Sequence, residues 1–114
     1  MREADRVRVR HMVDAAKEAL SFVAGRERED LDKDRMLALA LVRSMEIVGE
    51  AGAMVSSEGR AEITGIPWRE IVAMRNRLIH AYFDVNLDVV WETVQNDLPP
   101  LISTLEKALR DAER

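Results

Sequence analysis

The sequence predicts an all-α fold: a single-domain antiparallel bundle of four to five helices, the last kinked or split near Pro99-Pro100. Three observations carry this. Apolar residues recur at three- and four-residue intervals through most of the chain, which is the spacing that aligns side chains on one face of a helix. Aromatic residues make up only 4% of the composition, so the core must be built from Leu, Val, Ile, Ala and Met, a mixture that suits helices better than sheets. No run alternates as a strand should, and there is no repeat or low-complexity segment.

The first helix is expected from Asp5 to about Val23, on Val9, Met12, Val13, Ala16, Ala19, Leu20 and Val23, with Gly25 as its stop. Arg2, Arg6 and Arg10 fall four apart and form a basic stripe, read as a solvated face with acids nearby. His11 reads as a surface or partly buried histidine. Residues 26–33 are charged without apolar period and read as a connection, after which Asp32 or Asp34 can cap a second helix.

That second helix, from Met36 to Val55, carries apolar residues on nearly every side, so it is expected to be central. Gly49 and Gly52 lie inside it, each costing about 1 kcal/mol of helix propensity relative to Ala, and close approach by another helix is the expected reason. Glu46 and Glu50, one turn apart, are read as partners for an arginine such as Arg43 in preference to an acid-base pair. Residues 56–66 have no period and are expected to form the longest loop. Pro67 then suits the first turn of a third helix, whose apolar side is Trp68, Ile71, Val72, Leu78 and Ile79. Asp84 or Asn86 can cap a fourth, carried by Leu87, Val90, Trp91 and Val94. Pro99 and Pro100 remove two backbone donors, and Leu101, Ile102, Leu105, Ala108 and Leu109 complete the amphipathic end.

At 114 residues the chain holds one core, and a single domain over 1–114 is expected. The absence of cysteine excludes a disulfide framework and a thiolate metal site, and makes the cytoplasm the simplest location. Two well-separated histidines without an H-E-x-x-H pattern give no reason to expect zinc, and no cofactor or metal is implied. The formal charge of −4 argues against broad nonspecific nucleic-acid binding, so any RNA contact should be confined to a local basic region.

Chemistry is concentrated in Met74-Arg75-Asn76-Arg77-Leu78-Ile79-His80-Ala81-Tyr82-Phe83. His80 is one of two histidines and Tyr82 the only tyrosine. At 100° per residue, Arg75 and Tyr82 lie about 20° apart, whereas His80 is about 140° from Arg75 and about 40° from Asn76. One helix therefore does not present Arg75 and His80 on a single face. Either the helix ends near His80 and the chain turns, or the site needs a second copy of the helix. On spacing alone, Arg75 could equally hold an ion pair, His80 be a satisfied interface histidine, and Tyr82 a core-edge aromatic.

The Arg75-x4-His80-x-Tyr82 pattern resembles the R-x4-H-x-Y motif of HEPN-domain ribonucleases of the HepT-like toxin branch. The surrounding stretch IPWREIVAMRNRLIHAYFDVNLDVVWETVQNDLPPL, Ile66 to Leu101, and RSMEIVGEAGAMVS, beginning at Arg43, resemble the same family. The resemblance implies a HEPN-like bundle and a homodimer whose paired motifs line a shared cleft. It implies metal-independent endoribonuclease activity in which the ribose 2′-hydroxyl attacks the adjacent phosphorus. On that reading His80 is the general acid-base group, since imidazole changes charge near neutral pH. Arg75 stabilises the phosphate oxygens as charge builds. Asn76 supports His80 or the phosphate, and Arg77 and Arg69 bind substrate. The resemblance further implies a minimal nucleotidyltransferase antitoxin as partner, attaching adenylate to Tyr82. The rival classes are a noncatalytic dimeric helical interaction module and an accessory subunit of a nucleotidyltransferase; no phosphate-binding glycine loop is present for the latter.

Overall fold

In the computed structural model, which describes residues 1–80 and 84–113, most of the described residues are helical. The elements are α1 (Glu3–Val23), α2 (Asp30–Lys33), α3 (Arg35–Ala53), α4 (Ser57–Glu62), α5 (Trp68–His80), α6 (Leu87–Glu92), a π-helical segment (Thr93–Asp97) and α7 (Leu98–Ala112). Among the described residues there is no strand. Nor is any helix among them long and apolar enough to cross a membrane. The expected bundle is present: α1, α3, α5 and the composite helix from α6 to α7 are its long members.

The capping expectations are met where a side-chain oxygen can reach free amides. Asp34 accepts from Leu37 N–H at 3.1 Å and starts α3, and Asn86 accepts from Asp88 and Val89 N–H at 2.9 and 3.3 Å and starts α6. Gly25 follows α1 with φ +73°, a conformation that costs a residue without Cβ nothing.

Two expected connections contain helix. Asp30–Lys33 forms a single turn, because Asp30 accepts from Glu27 N–H at 2.7 Å and anchors Leu31, 2% exposed, into the core. Ser57–Glu62 forms a longer one where the sequence offered no period, because Ser56 accepts from Gly59 N–H at 3.0 Å as its cap. Ser56 is itself fixed by a distant residue. Its N–H and Oγ–H both donate to Asp5 on α1, at 2.8 and 2.6 Å. Asp5 is 3% exposed, and these hydrogen bonds hold its carboxyl below the usual aspartate range.

At Pro99-Pro100 the helix divides as expected, by widening. Without N–H groups the two prolines cannot donate to Gln95 and Asn96, and their rings would crowd those carbonyls. The turn over Thr93–Asp97 opens so that Leu98 N–H reaches Thr93 O, and the prolines fall in the first turn of α7.

The core lies where α1 meets α3 and α7. Met12, Leu41, Leu105, Val9, Val90 and Val94 are its largest fully buried side chains. α3 is central as expected, packing against α1 and α5, but one of its faces is open: Met36, Leu39 and Met54 are 81%, 52% and 61% exposed. α5 differs from α1 in packing chiefly against α3 alone. Of its expected apolar side only Leu78 is buried, and Trp68, Ile71, Val72 and Ile79 are half-covered.

Candidate functional site

α5 is fastened at both ends of its contact with α3. At the first turn, Arg60 donates to the Gly52 and Ala53 carbonyls at 3.1 and 3.4 Å, occupying acceptors left free where α3 ends. The same guanidinium lies 5.7 Å from the centre of the Trp68 ring, a cation–π distance. Arg60 therefore joins the end of α3 to the start of α5. No sequence pattern marked this role, because its partners lie seven and eight residues before it and at Trp68 after it, outside any helical period.

Farther along, Arg75 crosses α3 at Gly49. A Cβ on Gly49 would collide with Arg75 Cβ, lie 2.9 Å from Arg75 Cγ and 3.1 Å from Ile71 O. Only a residue without a side chain lets the two backbones come this close. Gly52 is looser, since a Cβ there would meet Met12 Cε at 3.3 Å. Close helix approach thus accounts for both glycines. At Gly49 it determines where the Arg75 side chain leaves the helix.

The motif residues divide between two faces of α5. Arg75 lies against α3, half-buried, with its Nε shielded from solvent and without a hydrogen-bond partner among the described residues. Arg69, Asn76, Arg77 and His80 are exposed. Their positions place them within about 100° of one another on the opposite side of the helix. Within one chain, then, the structure gathers Asn76, Arg77, Arg69 and His80 and leaves Arg75 on another face. Tyr82 lies outside the described residues. His80 and Arg77 occupy the last turn of α5, where the free carbonyls of the helix end favour positive charge.

Unneutralised charge is concentrated on α5. Among the described residues, Arg69, Arg75 and Arg77 make no ion pair or hydrogen bond. The α1 stripe is neutralised: Arg2 reaches Glu58 at 2.9 Å, Arg6 reaches Glu3 and Glu113 at 3.5 and 3.1 Å, and Arg10 reaches Glu113 at 3.5 Å. Arg43 pairs with Glu46 at 3.2 Å, the structural role expected for that carboxylate. His11 is exposed on α1, apart from the motif. An apolar groove of about 290 Å³ runs between α3, α5 and α7, lined by Met45, Val48, Ile71, Met74, Leu98 and Leu101 among others. Among the described residues, Arg69, Arg75, Asn76, Arg77 and His80 do not line it.

Comparison with known proteins adds to this geometry. The family model described as Ribonuclease HepT-like matches residues 12–108. A protein of Caldanaerobacter subterraneus subsp. tengcongensis named as a candidate RNase is 38% identical over 100 residues, covering 88% of this chain and 89% of the relative. One of Thermococcus cleftensis named as a candidate ribonuclease HepT is 42% identical over 79 residues, covering 69% and 72%. A protein of Methanocaldococcus jannaschii named as a gamma-glutamylcyclotransferase and candidate RNase is 29% identical over 114 residues, spanning all of this chain and 51% of its own. No solved structure gives a significant match.

Proposed function

The chain belongs to the Ribonuclease HepT-like family and is a ribonuclease, and from that premise we propose a metal-independent endoribonuclease whose active cleft is assembled from the α5 helices of two subunits. The observation that carries this reading is the open cationic face of α5. Arg69 and Arg77 stand beside the exposed His80, Arg75 lies on the face toward α3, and none of the three arginines has an acidic partner among the described residues, in a protein whose net charge is −4. A phosphodiester supplies the missing counter-charge, and concentration of Arg69, Arg75 and Arg77 from two copies would make a groove for it despite the acidic total. The separation of Arg75 from His80 on one helix supports the two-subunit arrangement, in which one copy's fork can face the other's ring.

In this mechanism the ribose O2′ bonds to phosphorus as the P–O5′ bond breaks, leaving a 2′,3′-cyclic phosphate and a 5′-hydroxyl. One His80 accepts the 2′-hydroxyl proton and the other protonates the departing O5′. Arg75, which makes no ion pair among the described residues, donates through its terminal guanidinium nitrogens to the non-bridging oxygens as charge accumulates. Asn76, about 40° from His80 around the helix, orients the imidazole or the phosphate. Arg69 and Arg77 hold the flanking backbone.

The finer physiological reading is the toxin of a toxin–antitoxin pair, acting as one domain over residues 1–114 in the cytoplasm. A minimal nucleotidyltransferase antitoxin silences it by moving AMP from ATP to the Tyr82 hydroxyl, with pyrophosphate leaving. The added bulk and negative charge would oppose an RNA backbone at the adjacent cationic face.

The test is cleavage of a panel of RNAs in EDTA. Wild-type protein should yield cyclic-phosphate ends, Arg75→Ala should lose roughly 10²-fold in rate, and Tyr82→Phe should no longer accept label from ATP and the transferase. Strict dependence on added magnesium would overturn the mechanism, and undiminished labelling of Tyr82→Phe would overturn the modification site.

A further inference from the structure

An elongated slot separates α5 from α7. α5 packs chiefly on α3 and α7 chiefly on α1, so the two helices stand apart with Met45 and Val48 of α3 between them. Ile71 and Met74 of α5 form one wall of the apolar groove there, and Leu98 and Leu101 of α7 the other. Thr104 lines this groove and also a second hollow bordered by Thr64, Lys107, Ala108 and Asp111, so the two join into one trough along α7. Leu101, Thr104, Ala108 and Asp111 fall within about 80° of the α7 circumference and give the trough about 15 Å of straight wall.

An open-ended apolar trough of this shape matches the apolar row of one amphipathic helix, whose side chains at i, i+4 and i+7 descend into it. Its unanswered charge is acidic. Glu70 on α5 and Asp97, just before α7, line the groove, are exposed, and make no ion pair or hydrogen bond among the described residues. Lys107, the cation at the other end, is already engaged with Asp111 at 3.0 Å. Two free carboxylates repel an RNA backbone and are complemented by cationic side chains. We propose that the trough docks an amphipathic helix of a partner protein, its apolar row set over Ile71, Met74 and Leu101 and its Lys or Arg flanks beside Glu70 and Asp97. This site is separate from the RNA face. Arg69, Asn76 and His80 lie about 120° or more from Met74 around α5, so an occupied trough leaves them exposed.

A labelled synthetic peptide helix, with Leu at i, i+4, i+7 and i+11 and Lys on both flanks, tests the docking by fluorescence anisotropy on the full chain. It should bind about tenfold or more tightly than a scrambled peptide of the same composition, and than a version with Glu in place of Lys. Thr104→Trp, which fills the trough where its two parts join, should remove that preference, as should Met74→Glu on the opposite wall. Glu70→Gln/Asp97→Asn should weaken binding several-fold and flatten its salt dependence. Circular dichroism confirms the helices of each variant, and RNA cleavage by Thr104→Trp should be unchanged. Equal binding of the ordered and scrambled peptides, or a preference kept in both filled variants, would overturn the docking. So would a halved sedimentation mass for Thr104→Trp, which assigns the trough to a second copy, or its loss of RNA cleavage, which assigns the trough to the substrate.

Discussion

The stripe of Arg2, Arg6 and Arg10 along α1 and the three arginines of α5 have opposite fates. Arg2, Arg6 and Arg10 are answered by Glu58, Glu3 and Glu113, two of which arrive from distant parts of the chain. Arg69, Arg75 and Arg77 meet no acid among the described residues. Packing explains the difference. α1 lies between α3 and α7, so the acidic end of α7 and the start of α4 lie over its polar side. α5 leans chiefly on α3 and offers its other side to whatever binds. Arginine spacing on a helix therefore says little about function until its neighbours are known. A cluster of cations left unneutralised on one helix of a net-acidic protein is the informative feature.

The largest expected consequence of this contrast concerns the two histidines. His80→Ala should reduce RNA cleavage roughly 10²-fold, the usual loss when an acid-base group is removed, while His11→Ala on α1 should leave the rate unchanged. Equal loss from both would erase the distinction between the helices. Next comes the seam that sets Arg75. Gly49→Ala should destabilise the fold by about 1–3 kcal/mol through overpacking and shift α5 away from α3, whereas Gly52→Ala, facing the flexible end of Met12, should cost less. Denaturant midpoints for the two variants give the ranking.

Acid should act on the α1 side first. Because the carboxyl of Asp5 is held below its unfolded value by Ser56, its stabilisation is complete above about pH 4 and is lost as the pH falls through the lower folded value. In Asp5→Asn that acid-dependent component of the melting temperature should disappear, and a wild-type acid profile matching the variant's would contradict it. The smallest effects separate the two sets of arginines directly. Arg69→Gln and Arg77→Gln should raise KM for RNA several-fold and flatten its salt dependence. Arg6→Gln and Arg10→Gln should leave KM alone and change stability by less than about 1 kcal/mol, as exposed ion pairs do.

Much of this organisation was legible in the chain. Apolar period gave the four long helices, Asp34 and Asn86 announced their caps, and Gly49 and Gly52 marked a close crossing. The motif around Arg75 and His80 pointed to the family that the comparisons establish. Residues 57–62, read as part of a loop, are helical because Asp5, which fixes their cap Ser56, stands 51 positions from it. The open stripe of α3 was equally hidden. An apolar helix face has the same pattern whether another helix covers it or not.

The sequence by itself determined what depends on neighbours three or four residues apart: helical period, capping, the widened turn before Pro99, and the place of Arg75 and His80 on a common helix but not a common face. The tertiary structure decided which charges are satisfied, which glycine meets Arg75 and which apolar face stays open. These depend on groups far apart in the chain, up to 107 positions. A charge or an apolar surface is neutralised by what lies within a few ångströms of it, and periodicity records direction around a helix without recording what stands there.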